Sequence, residues 1–214
     1  MLYLIGVEHK VQWRHPTAPV SPSRKADWDA YSSIIERSLC EIRPSVVAEE
    51  MNQEILDGHN KAASILLSLK KDHETRAGMK VEHIFAEPER SETPRGYKSD
   101  EQVEDALKRN LKDSPKPELI WAHIIAHQHP IREGFWFNKI SGHLRSDILF
   151  VCGDVHLVTF SRLLTRKGFI SKVVACRVGV HDLNTLEYQG LRCAQENGLL
   201  DQPDCFCLKG QGKL

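Results

Sequence analysis

The chain lacks several features that would assign it to a common class of partner or compartment. No stretch approaches the ~18 consecutive apolar residues that a membrane helix needs. Lysine plus arginine equals aspartate plus glutamate, 29 each, and no segment carries a concentrated basic run, so neither nucleic acid nor membrane is expected as a partner. The apolar start, Met1 to Gly6, is too short for a signal-peptide core. These absences predict a soluble, cytoplasmic protein.

Cysteine is scarce and irregularly spaced. The chain has six cysteines, and two of them, Cys152 and Cys176, stand within apolar, strand-like segments. This favours reduced thiols over a disulfide framework. The pair Cys205 and Cys207 could bind a soft metal together with Cys193, but the second spaced pair that is typical of such sites is missing.

The 214 residues are enough for one large hydrophobic core and few for two complete domains. We therefore predict a single α/β domain over residues 1–200 and a loose tail over residues 201–214.

Apolar, strand-like segments alternate with helical patterns along the chain. Strands are predicted at about 2–7, 45–51, 81–86, 147–152 and 170–176. Helices are predicted at about 27–42, 52–78, 100–111, 117–128, 131–144, 159–168 and 183–197. The loop over about 13–24 holds Pro16, Pro19 and Pro22, which exclude regular structure there. Such alternation predicts a mostly parallel central sheet with helices on both faces, a three-layer fold.

One short pattern, Gly-x-x-His, occurs near each end of the chain. The copies are Gly6-Val7-Glu8-His9 and Gly153-Asp154-Val155-His156, and each follows an apolar, strand-like segment. A buried strand that ends in glycine and then histidine delivers an imidazole to the carboxyl edge of a sheet, where open α/β folds bind their ligands. His9 and His156 are therefore predicted to share one site.

Carboxylates end two further strands. Glu49 and Glu50 end the second strand, and Glu87 follows the third. Since neighbouring strand residues point to opposite faces, only one of Glu49 and Glu50 can face the histidines, and the pattern leaves open which. Two imidazoles and one or two carboxylates can hold a divalent metal, or can act without one as base, acid and orienting group. Alternatively, the histidines hydrogen-bond within loops and the glutamates are solvated.

Other side chains are candidates for the same crevice. Arg132 could hold a substrate carboxylate or stabilise an oxyanion, or it could form an ordinary ion pair with Glu133. Asp154, inside the second motif, could orient His156 or join a metal. Gln12 flanks His9 in the sequence and is a candidate to contact substrate.

A second group of histidines competes for a metal role. His123 and His127 are spaced to share one face of a helix and could present two nitrogens to one ion. No glutamate follows the first histidine, so the zinc-peptidase motif H-E-x-x-H is not formed. His127 or His129 could instead line the crevice beside Arg132, and helix packing is the simpler alternative for all of them.

The paired motifs, the glutamate that ends the second strand and the arginine on a late helix resemble the TraB/Tiki/erythromycin-esterase superfamily, which includes the haem-binding ChaN proteins. The matching segments are Gly6 to His9, Val46 to Met51, Ile131 to Trp136 and Gly153 to His156. The resemblance implies a compact α/β core with both histidines and the glutamate at one site, hydrolytic in several members. Tiki-like members look like metal-dependent peptidases, whereas erythromycin-esterase-like members work without metal.

The chain departs from both branches. We expect neither the secretion signal and membrane anchor of Tiki-like proteins nor the extra helical regions that build the esterase pocket, so the resemblance transfers no substrate. We expect a metal-dependent hydrolase of peptidase or amidase type that acts on a small molecule or peptide. Its expected metal is Mn, Zn, Fe or Co, and the alternatives are a metal-free esterase-like hydrolase and a non-catalytic haem-binding, ligand-binding or regulatory protein. The expected metal ligands are His9, His156 and Glu50, the expected catalytic residues are Glu49, Glu50, Arg132 and Asp154, and the expected substrate contacts are Glu87, His127 and Gln12.

Overall fold

The structure is a computed structural model that describes residues 1–14, 20–58, 62–92, 97–98, 100–110 and 116–201. Two predictions fall outside these ranges. One concerns Pro16 and Pro19 of the proline-containing loop, and the other concerns the tail from residue 202, with Cys205 and Cys207.

The described residues form seven strands, eight α-helices and a few short 3-10 helices. The strands are β1 (Leu2–Val7), β2 (Trp13–Arg14), β3 (Val46–Glu49), β4 (Ala63–Ser64), β5 (Glu82–Phe85), β6 (Ile148–Gly153) and β7 (Ser171–Val178). The helices are α1 (Pro22–Ile42), α2 (Gln53–Gly58), α3 (Ile65–Ala77), α4 (Asp100–Asn110), α5 (Pro117–His127), α6 (His129–Ile140), α7 (His156–Arg166) and α8 (Leu186–Glu196). Over the described ranges, no helix has the length and apolar character to cross a membrane.

Five strands form one parallel sheet in the order β5-β3-β6-β1-β7. The central strand, β6, pairs with β3 on one side and with β1 on the other. β2 and β4 form a separate antiparallel ribbon, so the prediction of no regular structure over 13–24 was wrong at Trp13 and Arg14. The predicted mostly parallel central sheet is confirmed.

Helices cover both faces of this sheet. Alternate strand residues such as Leu4 and Phe150 pack against α6 and α7 in one buried cluster. Their neighbours, such as Ile5 and Val151, pack against α1 and α3 in another. Because consecutive strand residues point to opposite faces, strands buried on both sides read as continuous apolar runs. The predicted three-layer architecture is thereby confirmed.

Several helix predictions were wrong at their boundaries, and two of these differences have clear local causes. α1 begins at Pro22 rather than at residue 27, because Ser21 accepts a hydrogen bond from Arg24 N at 3.3 Å and proline is well suited to the first helical position. The single helix predicted over 52–78 is interrupted, and α3 starts afresh at Ile65 with Ser64 as its cap. Ser64 is held in place by the β2–β4 ribbon, a contact distant in sequence.

Candidate active site

Four strands deliver side chains to one edge of the sheet. β1, β3, β5 and β6 run parallel, so their carboxyl ends lie together. The residues that follow them include His9, Glu50, Glu87 and His156. His9 begins a short 3-10 helix, His9–Val11, and His156 begins α7. Each histidine therefore lies at the start of a helical turn.

His156 is the first residue of α7, three residues before the predicted start of that helix. The turn after β6 continues directly into the helix, with Leu157 N donating to Asp154 O at 3.1 Å. The side chain of His156 is buried, whereas that of His9 is 45% exposed. The two histidines of the paired motifs therefore have different environments.

Glu50 is the point at which the two motifs meet. Its carboxylate is buried, and Oε2 accepts a hydrogen bond from the amide of Gly153 at 2.6 Å. Oε1 lies 3.6 Å from His156 Nε2 and 3.8 Å from His9 Nε2. Gly153 has to be glycine here, since a Cβ atom at this position would lie 2.5 Å from His9 Nε2.

Arg132 reaches this carboxylate from α6. Its Nε donates to both oxygens of Glu87, at 2.9 and 2.8 Å, and its Nη2 lies 2.7 Å from Glu50 Oε1. Its Nη1 lies 3.4 Å from His156 Nε2. Burial opposes its charge, but Glu50 and Glu87 outweigh burial and raise the pKa of the guanidinium above its ordinary value. Arg132 is therefore a fixed cation at the centre of the site.

Glu87 is held by Arg132 and by Trp136. The indole Nε1 donates to Glu87 Oε2 at 3.0 Å, and the guanidinium carbon of Arg132 lies 5.3 Å from the centre of the Trp136 ring. Burial is the largest influence on this carboxyl; with Glu50 nearby, it raises the pKa of Glu87 despite the opposing effect of Arg132.

Behind His156 lies a buried pair of further side chains from α6. Glu133 Oε1 lies 2.9 Å from His156 Nδ1, and the ring of His129 stacks on that of His156 with centroids 3.9 Å apart. Burial, followed by the charge of Arg132, lowers the pKa of His129 to about 3. Burial also lowers the pKa of His156 well below its ordinary value. Both imidazoles are therefore neutral at pH 7.

The group His129, Glu133 and His156 could hold a metal ion, since one ligand atom from each lies within 4.8 Å of the others. The two rings, however, are stacked with an angle of 30° between their planes. A nitrogen lone pair lies in the plane of its ring, so stacked imidazoles do not aim at one ion. A metal in this group would require at least one ring to turn.

Glu49 lies on the opposite face of the sheet from Glu50. Its Oε1 accepts from Ser64 Oγ at 2.6 Å and lies 2.8 Å from His83 Nε2. Burial, and then the charge of Glu49, raise the pKa of Tyr31 on that face. The alternation of β3 thus directs Glu50 to the two motif histidines and Glu49 to α1 and α3.

The side chain of Asp154 forms its hydrogen bonds with Arg177 and Tyr188 rather than with the ring of His156. Oδ1 accepts from the backbone amide of Arg177 at 2.6 Å, and Oδ2 accepts from the hydroxyl of Tyr188 at 2.7 Å. Arg177 has a positive φ of 57° and lies in the irregular end of β7. Asp154 therefore ties β7 and α8 to the second motif, and the carboxylate that meets His156 Nδ1 is that of Glu133.

The two remaining candidates contact other parts of the fold. His127 on α5 packs against His123, with ring centroids 4.4 Å apart. Gln12 is fully buried, and its backbone oxygen accepts from Ile65 N at 3.0 Å. Within the described ranges, neither polar atom of the Gln12 amide has a hydrogen-bond partner.

Sequence reasoning gave no functional role to Glu133 or Trp136 and only a possible one to His129. Together with Arg132 they occupy positions 129, 132, 133 and 136, the spacing of residues that share one face of a helix. That spacing was the available signal, although it does not reveal that the face covers the end of the sheet.

Comparison of the chain with family models, with curated proteins and with solved structures finds no match in any of the three. Membership of the TraB/Tiki/erythromycin-esterase superfamily therefore stays a prediction from the motifs.

Proposed function

We propose that this protein is a hydrolase that cleaves an ester or amide bond by metal-free acid–base chemistry. The position of Arg132 is the observation that carries this proposal. Its guanidinium lies 2.7 Å from Glu50 Oε1 and 3.4 Å from His156 Nε2, and these two residues are among the three expected from the sequence to bind a metal. A cation of the protein itself thus contacts both of these expected ligands.

The metal-dependent alternative fits the residues poorly in this arrangement. A divalent ion that bound both Glu50 and His156, at about 2.0–2.2 Å from each, would lie beside the guanidinium, and like charges so close repel strongly. The Nη1 and Nη2 groups of Arg132 would have to leave His156 and Glu50 to make room. The proposed chemistry therefore uses the side chains alone.

His9 is the general base in this proposal. It is the motif histidine whose side chain is substantially exposed, and its Nε2 faces Glu50 Oε1 at 3.8 Å. Solvent and substrate can reach this imidazole, and imidazole is well suited to proton transfer near neutral pH. Glu50, fixed by the Gly153 amide, orients His9 and stabilises it once it has taken up a proton.

Arg132 stabilises the negative charge that develops on the substrate. A guanidinium has five N–H donors, and the contacts with Glu87, Glu50 and His156 leave donors over for an oxyanion. Because these contacts hold the group rigidly before the reaction, little reorganisation is needed when the charge forms.

The reaction then proceeds by two proton transfers. His9 takes a proton from water, and the resulting hydroxide attacks the carbonyl carbon to give a tetrahedral oxyanion beside Arg132. When this intermediate collapses, the bond to the alcohol or amine breaks, and the leaving group takes the proton back from His9.

The test is turnover of a panel of esters and amides by the wild-type protein and by His9→Ala. Loss of a general base is expected to reduce kcat by about 10²- to 10⁴-fold. The control is His181→Ala, since the side chain of His181 is 72% exposed and pairs with Asp27. This variant also shows how much ester cleavage comes from an exposed surface imidazole. Equal rates for His9→Ala and wild type, or no turnover of any panel member, would contradict the proposal, and the second outcome would favour a binding protein.

A further inference from the structure

Glu133 lies directly behind His156 and is fully buried. Its Oε1 lies 2.9 Å from His156 Nδ1, and the hydroxyl of Thr159 donates to the same oxygen. The stacked ring of His129 and the edge of Trp136, 4.8 Å away between ring centroids, hold the imidazole from its sides. His156 is therefore fixed in one orientation.

The neighbours of His156 also determine where its proton lies. Nε2 lies within hydrogen-bond distance of Arg132 Nη1, at 3.4 Å, whereas Glu50 Oε1, at 3.6 Å, is beyond it. Arginine has only donors, so Nε2 acts as an acceptor and carries no hydrogen. A carboxylate can only accept, and Glu133 Oε1 lies 2.9 Å from Nδ1, so the ring nitrogen that carries the hydrogen is the one that faces Glu133. That hydrogen is then on Nδ1, where it donates to Glu133.

We infer that Glu133 is a positioning residue that holds His156 in the Nδ1–H tautomer. The Nε2 lone pair then accepts a hydrogen bond from Nη1 of the Arg132 guanidinium. Glu87 holds Nε and Glu50 holds Nη2, and His156 supplies the contact to Nη1. Glu133 thus acts on Arg132 through His156. Its effect on catalysis rests on the proposed function, in which Arg132 stabilises the oxyanion.

The hydrogen bond from His156 to Glu133 and the stacking of His129 on His156 bring these three side chains together without a metal. Glu133 uses Oε1 to hold His156 Nδ1, and a metal on that nitrogen would replace this hydrogen bond. Metal binding and the inferred tautomer are therefore mutually exclusive at Nδ1.

The tautomer can be measured by ¹⁵N NMR of protein labelled at histidine, with the His156 signals assigned by their loss in His156→Asn. Wild type is expected to show hydrogen on Nδ1 and none on Nε2. In Glu133→Gln, the carboxamide can donate to Nδ1, so the hydrogen is expected to move to Nε2. Thr159→Val is the control, since it removes the hydroxyl that donates to Glu133 and leaves the carboxylate, and it is expected to keep the wild-type tautomer.

Kinetics give the second readout. In Glu133→Gln an N–H of His156 would face an N–H of Arg132 and displace the guanidinium, so kcat is expected to fall by about 100-fold with KM unchanged. Thr159→Val is expected to show a smaller fall. A switched tautomer with unchanged kcat would overturn the positioning role.

Hydrogen on Nε2 of wild-type His156, or a stoichiometric metal bound at Nδ1, would overturn the inference even if Glu133→Gln failed to fold. The expected tautomer in a protein that hydrolyses nothing would leave the assignment of Glu133 in place and contradict the proposed function instead.

Discussion

At the scale of single residues, the two Gly-x-x-His motifs pack against each other at their glycines. The space that a Cβ atom on each glycine would need is filled by a side chain from the other motif. A Cβ on Gly153 would lie 2.5 Å from His9 Nε2. A Cβ on Gly6 would overlap Leu157 and would lie 2.5 Å from Asp154 Oδ1. Each motif can therefore pack only against a neighbour without a side chain, which is why glycine recurs in both.

Gly153→Ala is expected to displace His9 while the protein stays folded. Displacing a catalytic group by about 1 Å can cost about 100-fold in rate, so we expect ester turnover to fall by about that factor. Gly134→Ala is the control, since a Cβ there meets nothing within 4 Å. It is expected to keep full activity and to raise thermal stability, because alanine is favoured over glycine in helices by about 1 kcal/mol. Wild-type turnover by Gly153→Ala would show that the place of His9 does not matter.

At the scale of secondary-structure elements, β3 separates two neighbouring carboxylates onto opposite faces of the sheet. Glu50 contacts Arg132 and the Gly153 amide, whereas Glu49 contacts Ser64 and His83. Both are buried, so removing either charge disturbs the protein. The two effects should nevertheless differ in kind.

Glu50→Gln and Glu49→Gln form a matched pair. Glu50→Gln is expected to lower kcat by at least about 100-fold, because His9 loses its partner and Arg132 loses a counter-charge. Glu49→Gln is expected to leave turnover per folded molecule unchanged and to lower the free energy of unfolding by about 1–3 kcal/mol. Enzyme assays and denaturant titration of the same samples separate the two effects. The reverse pattern would place the catalytic carboxylate on the other face.

The elements also show what could be predicted from the sequence. The apolar runs and their polar ends were enough to place His9, Glu87, His156 and one of Glu49 and Glu50 at one edge, because parallel strands end together. The role of α6 was not predictable in this way, since a helix reveals its polar face but not which part of the sheet it covers. Ser21 and Ser64 show the same limit, because a helix cap depends on local hydrogen bonds that hydrophobic periodicity does not report.

At the scale of the whole molecule, strand order brings together two segments that lie far apart in the sequence, Leu2–Val7 and Ile148–Gly153. β1 lies beside β6 in parallel register, with Gly6 opposite Cys152 and Val7 opposite Gly153. Nothing in the hydrophobic pattern specifies this pairing, since each strand is equally apolar on both faces. The resemblance to the TraB/Tiki/erythromycin-esterase superfamily implied that the two motifs share one site, and the topology brings them into contact through Glu50.

We propose that this site works without a metal because Arg132 supplies the fixed positive charge. The most direct test is the rate of hydrolysis of the best ester before and after exhaustive chelation, with the metal content determined in the same sample. We predict an unchanged rate and far less than one equivalent of metal. A rate that falls on chelation and returns with Mn, Zn, Fe or Co would contradict this account and identify the metal-dependent hydrolase instead.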